Sequence, residues 1–210
     1  SEVIARCDKI PSHAEIVAAL PHFIGNITQI PPVYSAIKIK GQPAYKLARK
    51  GENVVIPPRK IEIYQLELLA EYADSAKFRV ECSKGTYVRT LGKDLAQFLG
   101  TLGHLIELRR TKCGIFDLKH TILLENLEKM EYVENRRKLL FPIETSLRDI
   151  AEIAVSEEDA KKLSMGQSVS PKNYDVKPSE CVAAYSHGCL IALVRIDERK
   201  ISPIRVFNLT

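Results

Sequence analysis

The sequence predicts an α+β protein with two domains, a larger one over residues 1–150 and a small β-rich one over 151–210. Three patterns predict it. Alternating apolar residues at Ile61 and Ile63, and again at Phe78, Val80 and Cys82, have the period of two antiparallel strands joined near Ala73-Asp74-Ser75. Leu91, Leu95, Phe98 and Leu99 follow at helical spacing over 87–99, and Gly100 stands where a helix takes a left-handed stop. Short apolar runs at 181–185, 190–196 and 204–209, separated by turn-rich spacers, have the rhythm of a sandwich or barrel.

The remaining elements follow from local signals. Ser12-His13-Ala14-Glu15 has the form of a capping box and opens a short helix through Ile16, Val17 and Leu20, interrupted at Pro21. From Gln29 to Gly51 the chain reads QIPPVYSAIKIKGQPAYKLARKG: a strand or extended arm over 34–40, a turn at Gly41, and a short basic helix stopped by Gly51. HLIELRRTKCGIF over 104–116 reads as a strand, and 123–133 as an amphipathic helix. After a connection containing Pro142, Ser156-Glu157-Glu158-Asp159 caps a helix running to Met165, ended by Gly166.

Composition narrows the class. With 45% hydrophobic and 27% charged residues in 210, the chain sits near globular averages, which disfavours a disordered, collagen-like or membrane-spanning reading. No stretch approaches the roughly 20 apolar residues of a bilayer span, and SEVIARCDKIPS lacks a basic region followed by an apolar one, so nothing marks export. The five cysteines, odd in number and without a CxxC pair, read as reduced thiols of a cytoplasmic protein and make zinc an unlikely expectation.

The net charge of +5 is unevenly spread. Residues 29–60 carry seven basic side chains against Glu52 alone, a balance of +6, and residues 83–112 balance at +4. Between them, 61–82 balances at −3, and 151–210 is neutral. The two basic segments are either a solvated surface or, if they converge on one face, a path for a polyanion.

Two segments resemble the TruB-type tRNA pseudouridine synthases. The first is 29–51, which carries Ile30, Pro31, Pro32, Tyr34, Ser35, Ala36, Lys38, Gly41, Tyr45, Ala48 and Arg49 of the family's IPPxYSAxKxxGxxxYxxAR signature. The second is CSKGTYVRTLGKDLAQFLGTLGHLIELRRTKCGIF over 82–116, which matches its SKGTYIRxLxxDLG and LRRTxxGxF elements. The resemblance implies a pseudouridine-synthase catalytic domain over 1–150, with a mixed, mostly antiparallel sheet and flanking helices, and a small RNA-binding PUA-like domain over 151–210. It implies isomerisation of the uridine at position 55 in the T-loop of tRNA, flipped from its stack into the cleft, without cofactor or metal, by a protein that is monomeric when complete.

In that family the nucleophilic aspartate lies in a GxLDPxATG loop near the N-terminus. None of Asp8, Asp74, Asp94, Asp117, Asp149, Asp159, Asp175 and Asp197 has that surrounding motif. The sequence therefore looks like a member lacking the segment that breaks the C–N glycosidic bond and allows it to be remade as C–C. That segment is expected elsewhere, for instance on a separate chain, and the 210 residues alone are expected to be inactive. The alternative is a non-catalytic RNA-binding or tRNA-chaperone module.

The resemblance makes Arg109, the first arginine of LRR, the ion-pair partner of that aspartate, keeping it charged by lowering its pKa. Glu107 stands where many relatives have a tyrosine beside the substrate. Tyr34, Lys38 and Arg49 combine aromatic faces with cations, as splayed bases and phosphates require, while Tyr45 reads as structural. Lys84 and Arg89 flank Gly85-Thr86-Tyr87, which is either a ligand-approaching turn or a strand-to-helix corner. Leu127, with Leu124, forms an apolar wall to the uridine pocket by analogy or belongs to the core. His104 reads as structural. If both basic segments line the RNA path, tRNA affinity should fall by roughly 10³-fold or more between about 50 and 200 mM salt, as measured by gel shift; a flat response would remove the basic path.

Overall fold

The computed structural model describes residues 3–208. The chain divides after Leu108 into two compact units. In the first, Ser12 caps α1 (His13–Ala19), and the Glu15 side chain closes the capping box by accepting the Ser12 N–H at 2.8 Å. That N–H, then the Ser12 hydroxyl and Lys9, hold the Glu15 carboxyl down at about 2. A 3-10 turn, Leu20–Phe23, carries the pattern past Pro21 into β1 (Gly25–Gln29), a strand that the polar sequence GNITQ does not announce.

The 34–40 arm is not a strand along its length. It is irregular up to a two-residue hairpin, β2 (Lys38–Ile39) with β3 (Gln42–Pro43), turning through Lys40 at φ 48 and Gly41 at φ 83. The helix α2 (Ala44–Arg49) follows. The strands β4 (Arg59–Glu71) and β5 (Ala76–Cys82) form the expected antiparallel pair and, with β1, a sheet of order β1-β4-β5.

The register of β4 against β5 slips between Ile63 and Gln65. A bulge there carries the apolar face from Ile61 and Ile63 to Leu66 and Leu68, so one face stays inward despite the change of parity. That face packs with Ile16, Ala19 and Leu20 and with Leu91 and Leu95 of α3 (Val88–Phe98), whose end passes through Gly100 at φ 71.

The expected strand over 104–116 is not formed. Only β6 (Lys112–Cys113) and β7 (Phe116–Asp117) pair, as a short hairpin, and 102–111 is irregular. A strand needs a neighbour for its peptide groups, and among the described residues none pairs with 104–111. The segment instead follows α3, where Gly92 leaves room for Leu105: a Cβ at Gly92 would meet Leu105 Cδ2 at 3.2 Å.

The second unit opens with this hairpin. The helix expected over 123–133 is two helices, α4 (Leu124–Glu128) and α5 (Val133–Arg137). The Arg136 guanidinium takes the Met130 carbonyl at 2.6 and 3.0 Å, closing the turn between them. The strands β8 (Glu152–Ala154), β9 (Ser179–Ser186), β10 (Cys189–Ile196) and β11 (Ile201–Val206) then form one four-stranded sheet of order β11-β10-β9-β8. The small domain is thus a single mixed sheet rather than the sandwich or barrel suggested by the strand spacing, since β8 joins β9 in parallel.

Helix α6 (Glu157–Ser164), capped by Ser156 as expected, covers one face through Ala160 and Leu163. Leu147, Ile150 and Phe207 cover the other, so the apolar connection before residue 150 belongs to this core. Burial from both sides explains why Val182, Ala183 and Ala184 form a continuous apolar run. All five cysteines are free, and no helix among the described residues is long and apolar enough to cross a membrane.

Ile63 is fully buried at the point where β4 pairs with both β1 and β5. Ile63→Ala should destabilise the first unit by about 2–5 kcal/mol in urea unfolding monitored by tyrosine fluorescence. A loss below about 1 kcal/mol would contradict this packing.

Candidate nucleic-acid interface

The start of the first basic segment and the Lys84–Arg89 part of the second meet in the first unit. Gln29, at the end of β1, is 2% exposed and its carboxamide faces the Tyr87 peptide. Tyr87 N–H donates to Gln29 Oε1 at 2.8 Å, and Gln29 Nε2 donates to Tyr87 C=O at 3.2 Å. Arg89 Nη2 then donates to Tyr34 C=O at 3.1 Å. The arm beginning at Gln29 and the turn leading into α3 are therefore tied at two points, although 58 residues separate Gln29 from Tyr87.

Within the arm, Tyr45 N–H donates to Ser35 C=O at 3.1 Å and Ala44 N–H to Ile37 C=O at 2.7 Å, folding the hairpin against α2. The Arg49 guanidinium lies 5.6 Å from the Tyr45 ring centre, a cation–π contact that leaves the arginine exposed and the tyrosine half-buried. Gly85, at φ 86, turns the chain between β5 and α3. Tyr87, the N-cap of α3, supplies no side-chain cap, so the helix entry is held by Gln29 through the main chain. Ser35, 5% exposed, and Thr86 each bury a hydroxyl without a hydrogen-bond partner.

Of the residues singled out by sequence, Tyr34 is 56% exposed and Lys38, Arg49, Lys84 and Arg89 are exposed, all in the first unit. Tyr87 is half-buried, its peptide bound to Gln29. Glu107 is exposed on the irregular segment after α3. Arg109 and Leu127 belong to the second unit: Arg109 is exposed and in none of the ion pairs of the described residues, and Leu127 is half-buried on α4. Gln29 escaped sequence reasoning because a polar residue ending a weak strand carries no periodic signal. Its place immediately before the Ile30-Pro31-Pro32 motif was the one available clue.

Asp117, Asp159 and Asp197 are engaged by other groups. Among the described residues no aspartate forms an ion pair with an arginine. Burial pushes the Asp94 carboxyl up, with Lys93 opposing, which is the reverse of what a guanidinium partner would do. The Lys119 N–H, with His120 adding its charge, holds Asp117 below the usual carboxylate range. The N–H groups of Arg199 and Lys200 do the same for Asp197. Asp159 accepts the Tyr174 hydroxyl at 2.6 Å. No group of three or more metal-ligating side chains occurs among the described residues.

The antiparallel sheet beside the exposed cations and the Tyr34 ring belongs to a class of fold, the pseudouridine-synthase fold with a PUA-like small domain. The solved structures agree on the fold. A Cbf5-Nop10-Gar1 complex aligns with a TM-score of 0.71 at 22% identity, covering 97% of this chain and 63% of its counterpart. An H/ACA RNP bound to a substrate RNA containing 2'-deoxyuridine aligns with a TM-score of 0.70 at 20% identity, covering 96% and 63%.

Residues 1–88 match the model of the TruB family pseudouridylate synthase N-terminal domain, and 89–148 that of the tRNA pseudouridylate synthase B C-terminal domain. The tRNA pseudouridine synthase B of Caulobacter vibrioides is 41% identical over all of this chain and 70% of its own length. That of Bradyrhizobium diazoefficiens is 44% identical over 99% of this chain and 62% of its own. The chain belongs to the TruB pseudouridylate synthase family, and it spans about two thirds of the length of these relatives.

The Gly85 corner is testable without RNA. Gly85→Ala meets no steric obstacle, so its cost should be that of the left-handed backbone alone, about 1–2 kcal/mol by urea unfolding. An unchanged midpoint would show that the turn is not held at positive φ.

Proposed function

We propose that this chain is the RNA-binding and arginine-bearing part of a tRNA pseudouridine synthase that converts uridine 55 of the T-loop to pseudouridine. The nucleophilic aspartate comes from a segment outside this sequence. The observation that carries the reading is the convergence of the two signature segments in one frame, tied by Gln29 to Tyr87 and by Arg89 to Tyr34. Names of the relatives support the reaction, and the absence of an aspartate–arginine pair among the described residues supports an external carboxylate.

In this reading Lys38, Arg49, Lys84 and Arg89 hold phosphates of the T-arm, and Tyr34 offers its exposed ring to an unstacked base. Arg109 meets the incoming aspartate and keeps it ionised, which preserves the nucleophile at neutral pH. Glu107, exposed on the segment before Arg109, contacts the substrate, and Leu127 lines the uridine pocket with an apolar wall. The domain over 151–210 adds PUA-like contacts to the RNA.

The test uses the purified chain, a separately produced segment bearing the GxLDPxATG motif, unmodified tRNA and a pseudouridine-specific chemical probe. The chain alone should bind the T-arm and modify nothing, and the mixture should form pseudouridine. Arg109→Ala should lower the mixture's rate on the order of 10²–10³-fold while leaving RNA binding within about threefold. Modification by the chain alone would overturn the external-aspartate reading. Binding without modification by the mixture would favour the non-catalytic RNA-binding or chaperone reading.

A further inference from the structure

We propose that Gln29 is the positioning residue of the RNA-facing frame, acting through the Tyr87 peptide rather than by touching RNA. This rests on the RNA-binding reading above. The main chain of Gln29 is fixed in the sheet, opposite Arg59 of β4, and its side chain is almost wholly buried. A carboxamide can present an N–H donor and a C=O acceptor side by side in one plane, the pair that one residue of a neighbouring strand would present. Gln29 therefore stands in for a strand neighbour at Tyr87, where the chain leaves β5 and enters α3.

The contacts form a closed circuit. The chain runs from Gln29 to Tyr34, the Tyr34 carbonyl accepts from Arg89, the chain runs back two residues to Tyr87, and the Tyr87 peptide returns to Gln29. Tyr87 C=O also accepts the Leu91 N–H at 3.0 Å, so the same carbonyl starts the helix. The Arg89–Tyr34 bond is exposed to competing water, whereas the Gln29–Tyr87 pair is shielded. The shielded pair thus sets the relative placement of Tyr34, Lys84 and Arg89.

Two variants of the full chain test this. Gln29→Met keeps length and volume and removes both bonds. Gln29→Glu offers donor and acceptor only while protonated, and burial keeps it protonated to unusually high pH. The readout is affinity for a T-arm hairpin RNA as a function of salt, below the thermal midpoint of each variant. Gln29→Met should bind about tenfold more weakly, with the log–log salt slope shallower by about one, because a phosphate contact is lost from the frame. Gln29→Glu should match Gln29→Met near pH 9 and regain most of the affinity, relative to it, near pH 6.

Wild-type affinity and slope in Gln29→Met, measured while folded, would overturn the proposal alone. So would an affinity loss with an unchanged slope and no recovery in Gln29→Glu, since plain destabilisation gives that pattern. No RNA binding by the wild-type chain would overturn the RNA-binding reading, and this proposal with it.

Discussion

The pairing of the Gln29 carboxamide with the Tyr87 peptide is the constraint on which the first unit's surface depends. Each neutral hydrogen bond contributes only about 0.5–1.5 kcal/mol net, but leaving a buried donor or acceptor open costs about 1–3 kcal/mol. At a site this shielded the asymmetry decides the outcome: the turn can move only by opening two buried polar groups. The three-stranded sheet fixes one side of the pair and α3 the other. Between them they bring together segments that the sequence keeps far apart. The exposed cations gain a fixed geometry without a dense core beneath each one.

Several exposed cations of the same unit have no carboxylate partner among the described residues. Lys38, Lys84 and Arg89 are in no ion pair of the described residues, and Arg49 is occupied by an aromatic face rather than a carboxylate. Two carboxylates of the sheet are engaged elsewhere, Glu67 with Arg79 at 3.3 Å and Glu71 with His13 at 2.7 Å. In the proposed reading the phosphates of the RNA complete this surface, in keeping with the alternation of basic and acidic segments along the chain. Arg109 in the second unit has the same openness. In the proposed reading a carboxylate from another segment completes it.

Elements with complete local signals were legible in the sequence. The Ser12 capping box, the hairpin of β4 and β5, the helical periodicity ended by Gly100 and the Ser156-capped helix ended by Gly166 each combine periodicity with a start or a stop. Elements that borrow their stability from a neighbour were not. β1 is too polar to be recognised and is a strand because β4 pairs with it; β8 is three residues long and exists because β9 accepts it in parallel. Conversely, 104–111 reads as a strand in the sequence and has no partner among the described residues. The bulge near Gln65 was invisible because it alters parity without changing composition. At the site, Tyr34, Lys38, Arg49, Lys84 and Arg89 came from motifs, whereas Gln29 became evident only when its carboxamide was seen against a peptide 58 residues away.

The most direct measurement is a titration of the isotope-labelled chain with T-arm RNA, followed by amide chemical-shift changes. The frame predicts that Tyr34, Lys38, Arg49, Lys84, Tyr87 and Arg89 shift together with one dissociation constant. Perturbations restricted to residues 151–210, or two sets of residues titrating with unrelated constants, would contradict a single RNA-facing frame built from the two signature segments.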